Sequence, residues 1–195
     1  MKRILNALII VLTIFLIGCI EVNVEESNRI ENQLKVIVFD VGQGDSILIK
    51  TPKGKNILID SGSNSVKGKF LDKLNKNTKR NIEVLIATHP HEDHIGNMDD
   101  VIKNYNIKEI YIPKVTTNTK TFISMMDEIK NKNLKIKTAK AGIKFNIDGV
   151  EFEFLAPNNN FYEELNNYSV VVRVKYGEKA FYLWVMQKNS QREKY

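Results

Sequence analysis

Between Leu34 and Leu183, short apolar runs alternate with amphipathic helical stretches, and this alternation predicts an α/β fold with sheets packed under helices. The runs are bounded by Gly, Pro, Asn and Asp, the residues that end strands. At 195 residues, 43% hydrophobic and 27% charged, the chain suits one ordinary domain and excludes a wholly disordered one.

Leu34–Asp40 reads as a strand ended by Val41-Gly42-Gln43-Gly44-Asp45, and Ser46–Lys50 resumes it. Thr51-Pro52-Lys53-Gly54-Lys55 is a hairpin turn into the strand Asn56–Asp60, which the loop Ser61-Gly62-Ser63 follows. Residues 65–76 carry Val66, Phe70, Leu71 and Leu74 at helical spacing. Ile82–Ala87 is a strand of the fully buried type. Helical spacing returns over Ile95–Tyr105, a strand over Ile107–Ile112 stopped by Pro113, and a helix over Thr121–Asn131. Strands at Leu134–Thr138, Ile143–Ile147 and Val150–Leu155 follow, the last two joined by Asp148-Gly149, a pair suited to a tight hairpin. A loop at Asn158–Asn160 and a short helical piece lead to the strands Ser169–Lys175 and Lys179–Leu183, turned at Gly177-Glu178. The Met and aromatic positions at helical spacing read as packing.

Charge and cysteine content narrow the function. Lys and Arg number 29 against 23 Asp and Glu, an excess too mild to imply nucleic-acid binding by itself. One cysteine excludes a disulfide framework and any Cys-rich zinc module. Lys2 and Arg3 precede the apolar run Ile4–Ile20, the pattern of a secretory signal. Its end, Leu16-Ile17-Gly18-Cys19, resembles a bacterial lipobox, with Cys19 lipidated and residues 1–18 removed. The plainer alternative is an uncleaved membrane anchor with an incidental cysteine. Either version puts the rest of the chain on the outer face of a membrane, with residues 19–33 as a polar tether and residues 34–195 as the domain.

All three histidines fall within six residues, in Thr88-His89-Pro90-His91-Glu92-Asp93-His94, directly after a buried strand. His89 and His91 lie two apart on an extended segment stiffened by Pro90, so their side chains can converge. Asp93 and His94 follow as the chain turns into a helix. Imidazole and carboxylate suit zinc and similar divalent ions. Four donors so close in sequence can be shared between two neighbouring ions, His89 with His91 and Asp93 with His94. A solvated charged loop is the alternative. It leaves unexplained why a histidine-poor chain places every imidazole here.

Thr88 to Asn97 resembles the His-x-His-x-Asp-His signature of the metallo-β-lactamase superfamily, a four-layer αβ/βα sandwich. Phe39-Asp40-Val41-Gly42-Gln43-Gly44-Asp45-Ser46 and Leu58-Ile59-Asp60-Ser61-Gly62 resemble the metallo-hydrolase domain of the competence protein ComEC and its secreted relatives. The resemblance spans about residues 34–183 and implies that His89 and His91 bind a first metal and Asp93 and His94 a second, Asp93 being also the catalytic carboxylate. It implies two divalent ions, zinc with manganese as the alternative. Asp60 matches a buried carboxylate that orients the ligands from behind, against the plainer reading of a strand-end turn. Gly42 and Gly44 either let the backbone pass close to the site or form an ordinary bend. Asn167 and Ser169 match the family's Asn-x-Ser stretch. The implied chemistry is two-metal hydrolysis, the ions about 3.5–4 Å apart with a hydroxide held between them. The implied substrate is a phosphodiester in DNA, with a β-lactam or other ester as the alternative.

The family follows the last matching strand with Gly-Asp-Ala-Glu and a later histidine, whereas Trp184-Val185-Met186-Gln187-Lys188 stands here. Read two bases later, the codons TGG GTN ATG CAR AAR give GGT NAT GCA RAA, which forces Gly and Ala and permits Asp and Glu. A frameshift after Leu183 is therefore expected, against the alternative of a natural variant tail. It would leave two recognisable ligands per metal, an incomplete second half of the sandwich and an impaired enzyme. The competing class is non-enzymatic, a decayed fragment or a surface module that binds nucleic acid. The Lys-rich stretch Lys67–Lys79 reads more simply as a solvated helix face.

Overall fold

The first sheet puts the ends of four parallel strands on one rim, and this arrangement positions everything that follows. The computed structural model describes residues 33–183. The leader with Cys19, most of the tether, and the tail from Trp184 lie outside the described residues.

The first sheet runs in the order β1 (Lys35–Val38), β2 (Ile47–Lys50), β3 (Asn56–Ile59), β4 (Asn81–Ile86), β5 (Asn106–Ile112), β6 (Ile136–Thr138). β1, β2 and β3 are antiparallel neighbours, whereas β3, β4, β5 and β6 are parallel. Parallel neighbours need crossover connections. α1 (Lys67–Thr78) joins β3 to β4, α2 (Glu92–Ile95) and α3 (Met98–Asn104) join β4 to β5, and α4 (Lys120–Asn131) joins β5 to β6. The segments that follow β3, β4, β5 and β6 therefore share one rim of the sheet, and the segments that lead into them share the other.

The second sheet is antiparallel, in the order β10 (Lys179–Leu183), β9 (Val171–Tyr176), β8 (Val150–Ala156), β7 (Lys144–Ile147). Asp148 (φ 55°) and Gly149 (φ 83°) form the β7–β8 turn, both with positive φ as a tight hairpin requires. Among the described residues β10 pairs with β9 alone. Its Phe181 and Tyr182 are exposed. The described residues thus supply a helix layer, a six-stranded sheet and a four-stranded sheet of the expected sandwich.

Alternation sorts the side chains into two cores. Leu48, Leu58 and Leu85 point into the core under the helices, where Phe70, Leu74, Met98, Val101, Ile102, Phe122, Met125 and Ile129 meet them. Their strand neighbours Ile47, Ile49, Ile57, Ile59, Val84 and Ile86 fill the core between the sheets, against Phe152, Phe154, Val172 and Val174. Both faces of the sheet are buried at β2, β3 and the end of β4, so these strands read as apolar runs, whereas the edge strands β1 and β6 are partly or wholly exposed. Phe122, Met125 and Ile129 lie on one side of α4, which Thr119 caps by accepting a bond from the Phe122 N–H.

Strands β1, β6 and β9 start one or two residues later than expected, and two helices differ in how they are divided. The helix expected from residue 65 begins with a 3₁₀ turn at Asn64–Val66 before α1. The helix expected over Ile95–Tyr105 is two helices, broken at Gly96-Asn97. A Cβ on Gly96 would sit 2.5 Å from the Asn64 N, so the chain packs too tightly there for any larger residue. Among the described residues no helix is long and apolar enough to cross a membrane.

Candidate metal centre

The histidine cluster stands where β4 ends, on the rim that the parallel strands share. Asp60 follows β3 directly, wholly buried, in the left-handed region at φ 56°. Its N–H bonds the Ile86 carbonyl at 2.9 Å, which locks the ends of β3 and β4 together. One carboxylate oxygen accepts from the Thr88 N–H at 2.8 Å; the other accepts from the Thr88 hydroxyl at 2.5 Å and meets His94 Nδ1 at 3.1 Å. Asp60 therefore holds the entry to the cluster and one of its rings in a single grip. A strand-end turn residue would need none of these partners.

Three rings converge. His89 and His94 have centroids 4.1 Å apart, and His89 and His91 4.8 Å apart. His91 sits extended at the N-terminus of α2 and its carbonyl receives the His94 and Ile95 N–H groups, so one tight turn swings His94 back beneath His89. The His94 carbonyl is held by the Ser61 N–H at 2.7 Å and the Ser61 hydroxyl at 3.2 Å. Asp93 Oδ2 lies 3.6 Å from His94 Nε2, and Asp45 Oδ2 lies 3.9 Å from His94 Nδ1.

Glycine brings the loop of residues 40–45 against this turn. A Cβ on Gly44 would lie 1.8 Å from the Asp93 carbonyl oxygen, and its φ of +94° disfavours any other residue. Gly42 has positive φ but open space around it, so it serves the bend alone. The two glycines thus divide between the two readings that the sequence allowed.

Burial and charge set different proton affinities on adjacent rings. Burial drives the His89 imidazole down to about 2; the neighbouring His94 and His91 add to the fall, and a bond with the Asn166 side chain opposes it. Burial also pulls His94 down, but the bond and charge of Asp60, with Asp93 and Asp45, outweigh it and raise its pKa. Burial lifts the Asp60 carboxyl above its ordinary range, against the bonds from His94 and Thr88. Burial thus keeps a lone pair on His89 for a cation, while the Asp60 carboxylate favours the protonated form of its neighbour His94.

Several residues here had no role in the sequence reading. The Asn166 side chain and the Thr88 hydroxyl (3.2 Å from Nδ1) meet His89, while Asn167, which the Asn-x-Ser match had placed behind the ligands, gives its N–H to the Glu164 carbonyl at 3.0 Å. Ser169 is buried and its hydroxyl bonds the Asn166 carbonyl at 2.6 Å, which fixes that turn. Asn97 is fully buried and its amide donates to the carbonyls of Ser61 (2.8 Å) and Ser63 (2.9 Å), stapling α3 to the loop after β3. An asparagine just after a glycine inside a helical pattern was the available signal. Thr88 carried no such signal, since its role depends on the fold bringing Asp60 beside it.

The chemistry of the donor set, imidazole with carboxylate, fits a divalent ion. Its arrangement is less complete: among the described residues, no three His, Cys, Asp or Glu side chains are disposed to hold one metal ion. His89 with His91, and Asp93 with His94, are the pairs that would hold such ions. Bound there, a divalent ion would supply Lewis acidity and lower the pKa of a water molecule.

A buried carboxylate behind a histidine turn, at the strand ends of an α/β sandwich, defines a metallo-hydrolase type of fold and site. The chain belongs to the metallo-β-lactamase superfamily, whose family model matches residues 39–182. Its curated relatives include ComE operon protein 3 of Bacillus subtilis, 24% identical over 176 residues, which cover 82% of this chain and 22% of that protein. Recombination protein 2 of Haemophilus influenzae is 30% identical over 156 residues, 76% of this chain and 18% of the relative. The chain thus spans about a fifth of the length of these relatives, and they place the ComEC-like resemblance where the motifs had it. Among solved structures it is similar to the metallo-β-lactamase fold protein YhfI of Bacillus subtilis, with TM-score 0.51 and 15% identity over 76% of this chain and 60% of that one. A metallo-β-lactamase of Cronobacter sakazakii gives 0.52 and 13%, again over 76% and 60%. At these identities the structures speak for the fold.

Proposed function

We propose that this chain is a metal-dependent hydrolase domain that acts on phosphodiester bonds, with DNA as its substrate class. The observation that carries the reading is the convergence of His89, His91 and His94 over a buried Asp60 that is bonded to Thr88 and His94. Such backing fixes ring orientation and raises the basicity of the ligand in front of it. His89, kept neutral by burial, needs no deprotonation to bind a cation. The phosphodiester choice rests on similarity to the two competence and recombination proteins.

Pairs of donors, in place of the three protein ligands usual for catalytic zinc, support weak metal retention and hence low activity. The leader supports attachment by a lipid at Cys19 on the outer face of a membrane.

The test is hydrolysis of bis(p-nitrophenyl) phosphate and of nitrocefin by the full chain, supplied with zinc or manganese. The expected result is slow, chelator-sensitive cleavage of the phosphodiester and none of nitrocefin. Nitrocefin turnover alone would transfer the reading to β-lactams. Binding of DNA that is insensitive to chelator, without cleavage, would favour a non-enzymatic module.

A further inference from the structure

The two rims of the first sheet differ in charge: one carries acids and histidines with Lys114 and Lys140 among them, whereas the connecting segments of the other carry cations alone. Asp60, Glu92, Asp93 and the three histidines stand on the rim that follows the parallel strands. The other rim is made of the segments leading into β3, β4, β5 and β6, residues 51–55, 79–80, 103–105 and 132–135. These segments contain seven Lys and Arg (Lys53, Lys55, Lys79, Arg80, Lys103, Lys132, Lys135) and no Asp or Glu. All seven are exposed. The segments are joined to one another: the Asn106 N–H bonds the Arg80 carbonyl at 2.9 Å, and Lys132 Nζ reaches the Tyr105 carbonyl at 3.4 Å. Glu83, Asp72 and Asp148 are acids beside this rim, and Asp148 Oδ2 accepts from the Thr51 hydroxyl at 2.5 Å. Glu83 is already bridged by Lys55 (3.1 Å) and Lys108 (2.6 Å), and Asp72 shares a shallow cavity with Arg80.

The chain also enters the domain here. Lys35, the first residue of β1, is the register partner of Lys50, which immediately precedes the 51–55 turn. The apolar run Ile4–Ile20 is thus joined to the basic rim by a polar stretch of 13 residues, 21–33.

We propose that the basic rim is a docking surface for anionic lipid headgroups, which holds the domain against the membrane with its histidine cluster facing away. The inference rests on the membrane-anchoring reading of the leader. A polyanionic face beside the point of attachment would be met by these cations first, because the chain enters the domain at this rim. Nucleic acid is the other polyanion such a rim suits. A strand bound there would lie at the far end of the parallel strands from the histidines, where its phosphodiesters meet no metal ligand.

The experiment is amide hydrogen exchange on the full chain incorporated into lipid nanodiscs, either all phosphatidylcholine or containing phosphatidylglycerol. In the anionic discs, exchange in residues 51–55 and 132–135 is expected to slow by about tenfold, while residues 113–119 and 139–143 are unchanged. Salt at about 0.5 M should remove the protection. The triple variant Lys53→Glu, Lys103→Glu, Lys135→Glu should lose it while remaining in the discs, and the salt series carries the test if that variant does not fold. Incorporation into both kinds of disc with identical exchange overturns the docking surface alone. Protection of the same segments by duplex DNA, with none from lipid, also overturns it. A chain that enters neither disc overturns the anchoring reading and the docking surface together.

Discussion

Asp60 does more for the site than any other single residue, and its position tests that directly. Asp60→Asn keeps the side-chain shape and an amino acid tolerant of positive φ, so the fold should survive with little change in Tm. It removes the charge that holds the proton on His94, so the His94 pKa should fall in an NMR titration of metal-free protein. Metal affinity is expected to drop by about 10–100-fold. Asp60→Ala leaves the Thr88 N–H unpaired in the interior and its hydroxyl with His89 Nδ1 alone, at 3.2 Å, and should cost about 1–3 kcal/mol in denaturant unfolding. Equal effects of both substitutions would reduce Asp60 to a packing residue. His89 gives a pH prediction of definite sign. Its folded pKa of about 2 lies below the ordinary 6.5, so the folded state binds fewer protons than the unfolded one. The stability tied to its neutral form is complete above pH 6.5 and drains away as the pH falls toward 2. Between pH 6.5 and about 5 the loss should reach about 1.5–2 kcal/mol in metal-free protein, and His89→Gln should remove this part of the slope. Unfolding curves at matched pH values check it. His94, with its pKa raised, works the other way: its contribution is present below the ordinary value and lost as the pH rises through its folded value.

At the scale of elements, the site depends on the loop between β1 and β2 pressing on the first turn of α2. Gly44→Ala forces a Cβ into the Asp93 carbonyl, where the space is 1.8 Å, and should displace Asp93 and weaken metal binding. Gly42→Ala meets nothing within 4 Å and bears only the strain of a positive φ, about 1–2 kcal/mol. Metal titration of the two variants separates them: the Gly42 change should lower Tm and spare affinity, whereas the Gly44 change should lower both. Elements were legible in the sequence wherever periodicity and punctuation agreed. β3, α4 and the β7–β8 hairpin fall within a residue of expectation because Asp148-Gly149 and the Phe122, Met125, Ile129 spacing each leave one solution. The break between α2 and α3 was not legible, since the apolar spacing runs through it. It exists because Gly96 and Asn97 pack against residues 61–64, a contact between segments more than thirty residues apart.

At the scale of the whole molecule, the gathering of the three rings was legible because all the histidines fall within six residues of sequence. Their supports were not. Thr88, Asn97 and Asn166 gain their roles only when the strand ends and the second sheet meet, as where the Val170 N–H bonds the Thr88 carbonyl at 3.1 Å. The contrast of the two rims was equally hidden, because its cations come from four separate connections. The central claim is that the cluster at the end of β4 takes up divalent cations. The most direct measurement is a cobalt(II) titration of the full chain, followed by visible absorption, beside His91→Ala and Asp60→Asn. Nitrogen-ligated cobalt bands should grow in with weak affinity, vanish in His91→Ala and need more metal in Asp60→Asn. A flat titration, or bands indifferent to both substitutions, would contradict it.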